Sequence, residues 1–168
     1  DTGIAIHSDL EENVNRTLGC NIITPIDTEL TDPHGHGTMV AGIIGALKND
    51  EGVVGVCQNI TIVPIKFAGN SYGIDSNAYT SEVISAVSHA ISQDIDLLNM
   101  SWKLPSSDRT LNLYAALNYY GGLFVTSAGN FGVDMENDNT AAAKRNNEPT
   151  WIVVGNSTSA DQVASGSN

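Results

Sequence analysis

His36-Gly37-Thr38-Met39-Val40-Ala41-Gly42 is the stretch whose reading decides the fold. It leads into Thr38–Leu47, a run so uniformly small and apolar that it reads as a buried helix. A titratable imidazole at the mouth of such a helix costs solvation and helix propensity, so packing does not account for it. On either side of this helix, short β-rich runs alternate with helical patterns. The runs near Cys20–Ile23, Thr61–Phe67, Asp96–Met100, Leu123–Ser127 and Trp151–Val154 are nearly continuous and apolar, as strands buried on both faces would be. Thr80–Ser92 carries Val83, Ile84, Val87 and Ile91 on one helical stripe. Leu111–Tyr120 has an entry signal at Ser107 and Asp108 and an exit at Gly121-Gly122. Right-handed crossovers between these elements give an α/β fold, a three-layer αβα sandwich with a mostly parallel sheet. Its chemistry is expected at the carboxyl ends of the strands.

The 168 residues, 41% apolar, suffice for one domain with a sizeable core, spanning residues 1–168. That domain is expected to be incomplete. An aspartate at a strand's carboxyl end needs a strand before Asp1, and the tail Ala164–Asn168 is loop-like. The formal charge of −12 argues against nucleic acid as a partner, because seven basic residues cannot neutralise a phosphate backbone. Apolar stretches fall far short of the roughly 20 residues needed to span a bilayer. Cys20 and Cys57 lack metal-ligand spacing; they either pair in an oxidising compartment, or Cys57 is a small core residue beside Val54 and Val56. Residues 133–149 are polar and turn-rich and read as a surface excursion. His89 falls opposite the Val83/Val87 stripe and reads as a surface histidine.

Serine hydrolysis requires a base beside the nucleophile, a carboxylate that orients the base, and donors for the oxyanion. His36, in the first turn of its helix, is the candidate base. Asp1-Thr2-Gly3 offers the carboxylate, and Ser127-Ala128-Gly129-Asn130, closing an apolar run, offers a donor. In order and in phase with the strands, these blocks resemble those of the subtilisin-like serine proteases, the subtilases, over essentially the whole chain. The resemblance implies that Asp1 is the catalytic aspartate, His36 the catalytic histidine and Asn130 the oxyanion-hole asparagine. It also implies that Asn99-Met100-Ser101 lies beside bound polypeptide. Ser127, Ala128 and Gly129 would form one wall of the specificity pocket and Ser101, Trp102 and Lys103 the other. Trp102-Lys103 stands where the family usually has Leu-Gly, and a lysine there alters the approach of the substrate backbone.

The nucleophile block of that family, Gly-Thr-Ser-x-Ala, is absent from these residues. The serine is therefore expected outside them, and the chain alone is expected to be inactive. A catalytically dead, peptide-binding relative is the alternative. Gly69-Asn70-Ser71-Tyr72-Gly73 matches the G-x-S-x-G pattern of α/β-hydrolases. No acid followed by a histidine lies downstream, so it reads as a turn-rich loop. Residues 47–53 resemble the subtilase loop that wraps calcium; by that match Asp9 and Asn49 give side-chain oxygens, and Leu47, Glu51 and Val53 give carbonyls. The alternative is a solvated turn at the helix end. The resemblance further implies an extracellular protein matured by loss of a pro-segment.

Overall fold

The computed structural model describes residues 1–26, 29–69, 80–102, 111–137, 145 and 147–168. The chain divides into two compact units, Asp1–His89 and Ala90–Asn168.

In the first unit, β1 (Cys20–Asn21) pairs in parallel with β2 (Ile65–Lys66), Cys20 opposite Ile65. A further parallel bridge joins Val14 to Ile62. The expected strands are thus present but shorter, because the chain on either side turns to bond elsewhere: Phe67 N and Ala68 N both donate to the Asp1 carbonyl. Helix α1 spans His36–Gly45, two residues earlier at each end than the apolar run suggests. It stops at Gly45 because distant groups take over its last carbonyls. Gly45 O accepts from the buried Asn13 carboxamide at 2.9 Å, and Val56 N and Cys57 N donate to Ile43 O and Ile44 O. A sequence window cannot contain such caps.

The buried side of α1 consists of Gly37, Ala41 and Gly45, and it packs into a core of Ile4, Leu10 and Ala46 flanked by Val14 and Ile62. The helix is not buried all round, contrary to its composition: Met39 is 64% and Ile43 69% exposed on the opposite side. An apolar pattern on every face does not say which face packs, and here the small residues do. Val54, Val56 and Cys57 are also exposed, and both cysteines are free, so neither reading of Cys57 holds. Cys20 is half-buried; burial pushes its thiol up to about 11, leaving it protonated and unreactive at neutral pH.

Helix α2 (Thr80–Ser92) follows its stripe, with Val83, Ala86, Val87 and Ala90 buried. His89 corrects the surface reading: it is partly buried, and its Nε2 donates to the Leu18 carbonyl at 2.8 Å. Periodicity gave its direction, but not the loop lying there.

In the second unit, β3 (Leu97–Met100), β4 (Leu123–Ser127) and β5 (Trp151–Val154) form a parallel sheet in that order. One face is buried, through Met100, Phe124, Thr126 and Trp151, and the Phe124 and Trp151 rings pack at 4.2 Å between centroids. The other face is open at Leu97, Ile152 and Val154, which corrects the expectation of strands buried on both sides. Helix α3 (Leu111–Tyr119) buries Leu113 and Leu117; its expected entry at Ser107 and Asp108 lies outside the described residues. From the expected surface excursion, Arg145 reaches back to stack over Tyr114 and Trp151, 4.8 and 5.7 Å from their ring centroids.

Candidate functional site

Asp1 lies alongside β2, its N donating to Ile65 O at 3.1 Å and its carbonyl accepting from Phe67 and Ala68. That fixes its main chain on both sides. The side chain turns to His36, the first residue of α1, whose Nδ1 donates to Asp1 Oδ1 at 2.8 Å. The same oxygen accepts from Thr2 N at 2.7 Å and from the Thr2 hydroxyl at 3.3 Å. Three donors on one carboxylate oxygen favour its ionised form. With Nδ1 carrying the proton, Nε2 is the basic nitrogen, and the side chain is 41% exposed.

Gly37 makes this approach feasible. A Cβ there would collide with the Gly3 carbonyl oxygen and lie 3.2 Å from Asp1 Oδ1. Gly37 N donates to Thr2 Oγ1 at 3.0 Å, so Thr2 ties the helix N-terminus to the carboxylate beside it. His34 packs edge-on against His36, 6.2 Å between ring centroids. Among the described residues no group of three or more His, Cys, Asp or Glu side chains is arranged to hold a metal.

Asp32 escaped the sequence reading. The N-cap of α1 is Gly35, which has no side chain to cap with. Asp32 does so from three residues upstream: Oδ1 accepts from Gly35 N at 2.8 Å, and Oδ2 from Thr38 N at 2.8 Å and Thr38 Oγ1 at 2.7 Å. Burial by itself would raise the Asp32 carboxyl; the hydrogen bonds from the Thr38 hydroxyl and from the Thr38 and Gly35 backbone outweigh it and hold it below the usual carboxylate range. The available signal was an aspartate just ahead of a proline and a glycine-capped helix. Asp32→Ala is expected to cost about 1–2 kcal/mol, as for loss of an N-cap acceptor. Because the folded carboxyl titrates below the unfolded one, its contribution is complete above the unfolded value near pH 4 and fades as pH falls through the folded value. In thermal unfolding, the Tm gap between wild type and Asp32→Ala should therefore narrow from pH 6 towards pH 3. A gap independent of pH would contradict the assignment.

The other expected site residues of the first unit lie around the end of α1. Asp9 is 3% exposed; Oδ2 accepts from Val53 N at 3.0 Å, whereas Oδ1 is buried with no partner among the described residues. Leu47 N donates to the Asp9 carbonyl at 2.7 Å, and Glu51 N lies 3.0 Å from Asn49 Oδ1. Glu51 accepts from the Ser8 hydroxyl. A buried carboxylate oxygen with no partner among the described residues is the kind of hard donor that suits calcium.

In the second unit, pairing of β3 with β4 sets Asn99 opposite Val125 and Met100 opposite Thr126. At the carboxyl ends of these strands, Asn99 Nδ2 donates to Ser101 Oγ at 3.0 Å and Ser127 Oγ to the Trp102 carbonyl at 3.3 Å. Ser101, Trp102 and Ser127 thus come together at one sheet end. Ala128 is buried, and its N donates to Val154 O. Gly129 turns the chain at φ +116°, and Asn130 follows, exposed, with no hydrogen-bonding partner for its carboxamide among the described residues. Lys103, like residues 70–73 of the Gly69–Gly73 loop, lies outside the described residues.

Parallel strands joined through helices, with a histidine held by a carboxylate at a helix mouth, define an α/β protein with a hydrogen-bonded Asp–His pair. The Subtilase family model matches residues 1–168, and the chain belongs to that family. It is 36% identical to subtilisin DY of Bacillus licheniformis over 134 residues, 79% of this chain and 46% of that protein. It is 38% identical to subtilisin-like protease 2 of Plasmodium falciparum over 117 residues, 65% of this chain and 8% of that protein. A cold-adapted subtilisin-like serine proteinase superposes with a TM-score of 0.79 at 28% identity, over 100% of this chain and 56% of that one. The nisin leader peptidase of Lactococcus lactis shares the fold, with a TM-score of 0.80 at 22% identity over 100% of this chain and 57% of its own. The chain therefore spans about half the length of subtilisin DY and of the cold-adapted proteinase.

Proposed function

We propose that these residues are the acid- and base-bearing part of a serine endopeptidase, whose nucleophilic serine is supplied by sequence outside them. The observation that carries the reading is the 2.8 Å bond from His36 Nδ1 to Asp1 Oδ1. His36 Nε2 takes the proton of the serine hydroxyl as its oxygen attacks the scissile carbonyl. Asp1 stabilises the imidazolium that results, and the Asn130 carboxamide donates to the oxyanion. His36 then returns the proton to the leaving amine, leaving an acyl-enzyme. Water, deprotonated by the same nitrogen, releases the acid and restores the serine. Asn99, Ser101, Trp102, Lys103 and Ser127–Gly129 flank the polypeptide substrate.

A fluorophosphonate probe tests the reading. It should label the full-length protein at a serine beyond residue 168 and leave the 168-residue chain unlabelled. Labelling of the short chain would overturn the division of the triad. Tight peptide binding by an unlabelled full-length protein would favour the catalytically dead relative instead. The same reading places the protein outside the cell after removal of a pro-segment. No described helix is long and apolar enough to cross a membrane.

Calcium would be held by Asp9 and Asn49 side-chain oxygens and by the Leu47, Glu51 and Val53 carbonyls, where it would neutralise the buried Asp9 carboxylate. Binding to the folded state alone, at about 100 times its Kd, adds about 2.7 kcal/mol. Calcium should accordingly raise Tm over chelator-treated protein, and Asp9→Asn should abolish that rise. Equal Tm values with and without calcium in the wild type would refute the site.

A further inference from the structure

The turn bearing Asn130 is bounded by two glycines with positive φ, Gly129 at +116° and Gly132 at +62°. Such a turn has little regular structure of its own, yet an oxyanion donor must be placed to within about half an ångström to be useful. Its backbone is held from elsewhere in the second unit. Asn168 Oδ1 accepts from Phe131 N at 2.9 Å and from Val133 N at 3.2 Å, one carboxamide oxygen serving two donors. Asn168 N donates to Gly129 O at 3.2 Å, and Gly132 N to Gly166 O at 3.0 Å. The fit is close: a Cβ at Gly129 would lie 2.6 Å from Asn168 Nδ2.

Asn168 is itself anchored. The buried Ser167 hydroxyl accepts from Asn156 N at 2.8 Å and donates to the Asn168 carbonyl at 3.1 Å. Ser167 N donates to Ala164 O, and Ala164 N to Asn156 O. The chain just past β5 thus carries a rigid clamp whose tip grips the residues on both sides of Asn130. Asn130 itself is exposed between them.

We infer that Asn168 is a positioning residue for Asn130, holding the oxyanion donor's turn through two main-chain hydrogen bonds. The inference rests on the endopeptidase reading and deepens it. The Asn168 carboxamide oxygen bonds the main chain of the turn, so its removal is expected to act through the placement of Asn130.

The test is a double-mutant cycle on the full-length enzyme, with kcat, KM and Tm measured for Asn168→Ala, Asn130→Ala and the pair. Asn168→Ala is expected to lower kcat about 10- to 100-fold, the size of a misplacement near 1 Å, with KM little changed. In the Asn130→Ala background the same substitution should change kcat less than about twofold, because the group it positions is gone. Equal losses in both backgrounds, or an unchanged kcat with Asn130 present, would overturn the proposal. If Asn130→Ala itself leaves kcat intact in an active enzyme, the oxyanion assignment falls and Asn168 falls with it. Asn168→Asp covers the case in which the alanine variant does not fold. It keeps an acceptor for both N–H groups and should retain most of the wild-type kcat. A collapse of kcat in a folded Asn168→Asp protein would also count against the proposal.

Discussion

His36→Ala in the full-length enzyme is expected to lower kcat about 10⁶-fold while leaving KM within a few-fold of wild type. The magnitude is that of a subtilisin in which a histidine has the role proposed for His36, and it corresponds to about 8 kcal/mol of transition-state stabilisation. Nearly all of it belongs to the proton transfer. Without Nε2 the serine hydroxyl keeps its proton, and Asp1 has no imidazolium to stabilise. The effect should fall on kcat, because His36 meets the reacting atoms and its Nδ1 edge is occupied by Asp1 rather than by substrate. Folding should be largely untouched, since the side chain is part exposed and the capping of α1 is carried by Asp32 and Thr2. Steady-state peptide hydrolysis alongside Tm checks this. A loss below about 10², or a loss of Tm large enough to explain it, would remove His36 from the role of base.

The sequence made some of this legible and not the rest, for identifiable reasons. The partners Asp1 and His36 were readable because their neighbours are restrictive. Gly37 must be small for the helix to reach Gly3, and Thr2 must carry a hydroxyl to join Gly37 N to the carboxylate. Such restrictions leave a recognisable block of residues. The strands β4 and β5 were legible as short apolar runs, since Trp151 and Phe124 pack directly on one another. By contrast, the C-terminal end of α1 is set by Asn13, Val56 and Cys57, none of them within a helical window. Asp32 and Asn168 were missed for the same reason. Each accepts main-chain hydrogen bonds, and a main-chain donor leaves no trace in the identity of the residue it belongs to. His89 went astray because periodicity reports direction and not what the direction meets.

Asp1 separates two contributions that are usually lost together, and its two variants should differ. Asp1→Ala removes both the charge and the acceptor for His36 Nδ1, and kcat is expected to fall about 10⁴-fold, as when the orienting carboxylate of a triad is deleted. Asp1→Asn should be milder in this protein. The oxygen that accepts from His36 Nδ1 is the one that accepts from Thr2 N and the Thr2 hydroxyl. A carboxamide flipped to point its NH₂ group there would set donor against donor at Thr2 N, 2.7 Å away. The asparagine is therefore expected to keep its carbonyl oxygen at the Oδ1 position and preserve the Nδ1-protonated tautomer. Only the charge is lost, worth about 2–4 kcal/mol, or roughly 30- to 10³-fold in kcat. Nitrogen NMR of His36 reads the tautomer directly, and kinetics on the same preparations read the cost. Asp1→Asn as damaging as Asp1→Ala, with the proton moved to Nε2, would show that Thr2 does not fix the orientation of residue 1. An Nδ1-protonated ring with an intermediate kcat would divide the triad's aspartate effect between charge and orientation, with Thr2 as the residue that secures the orientation.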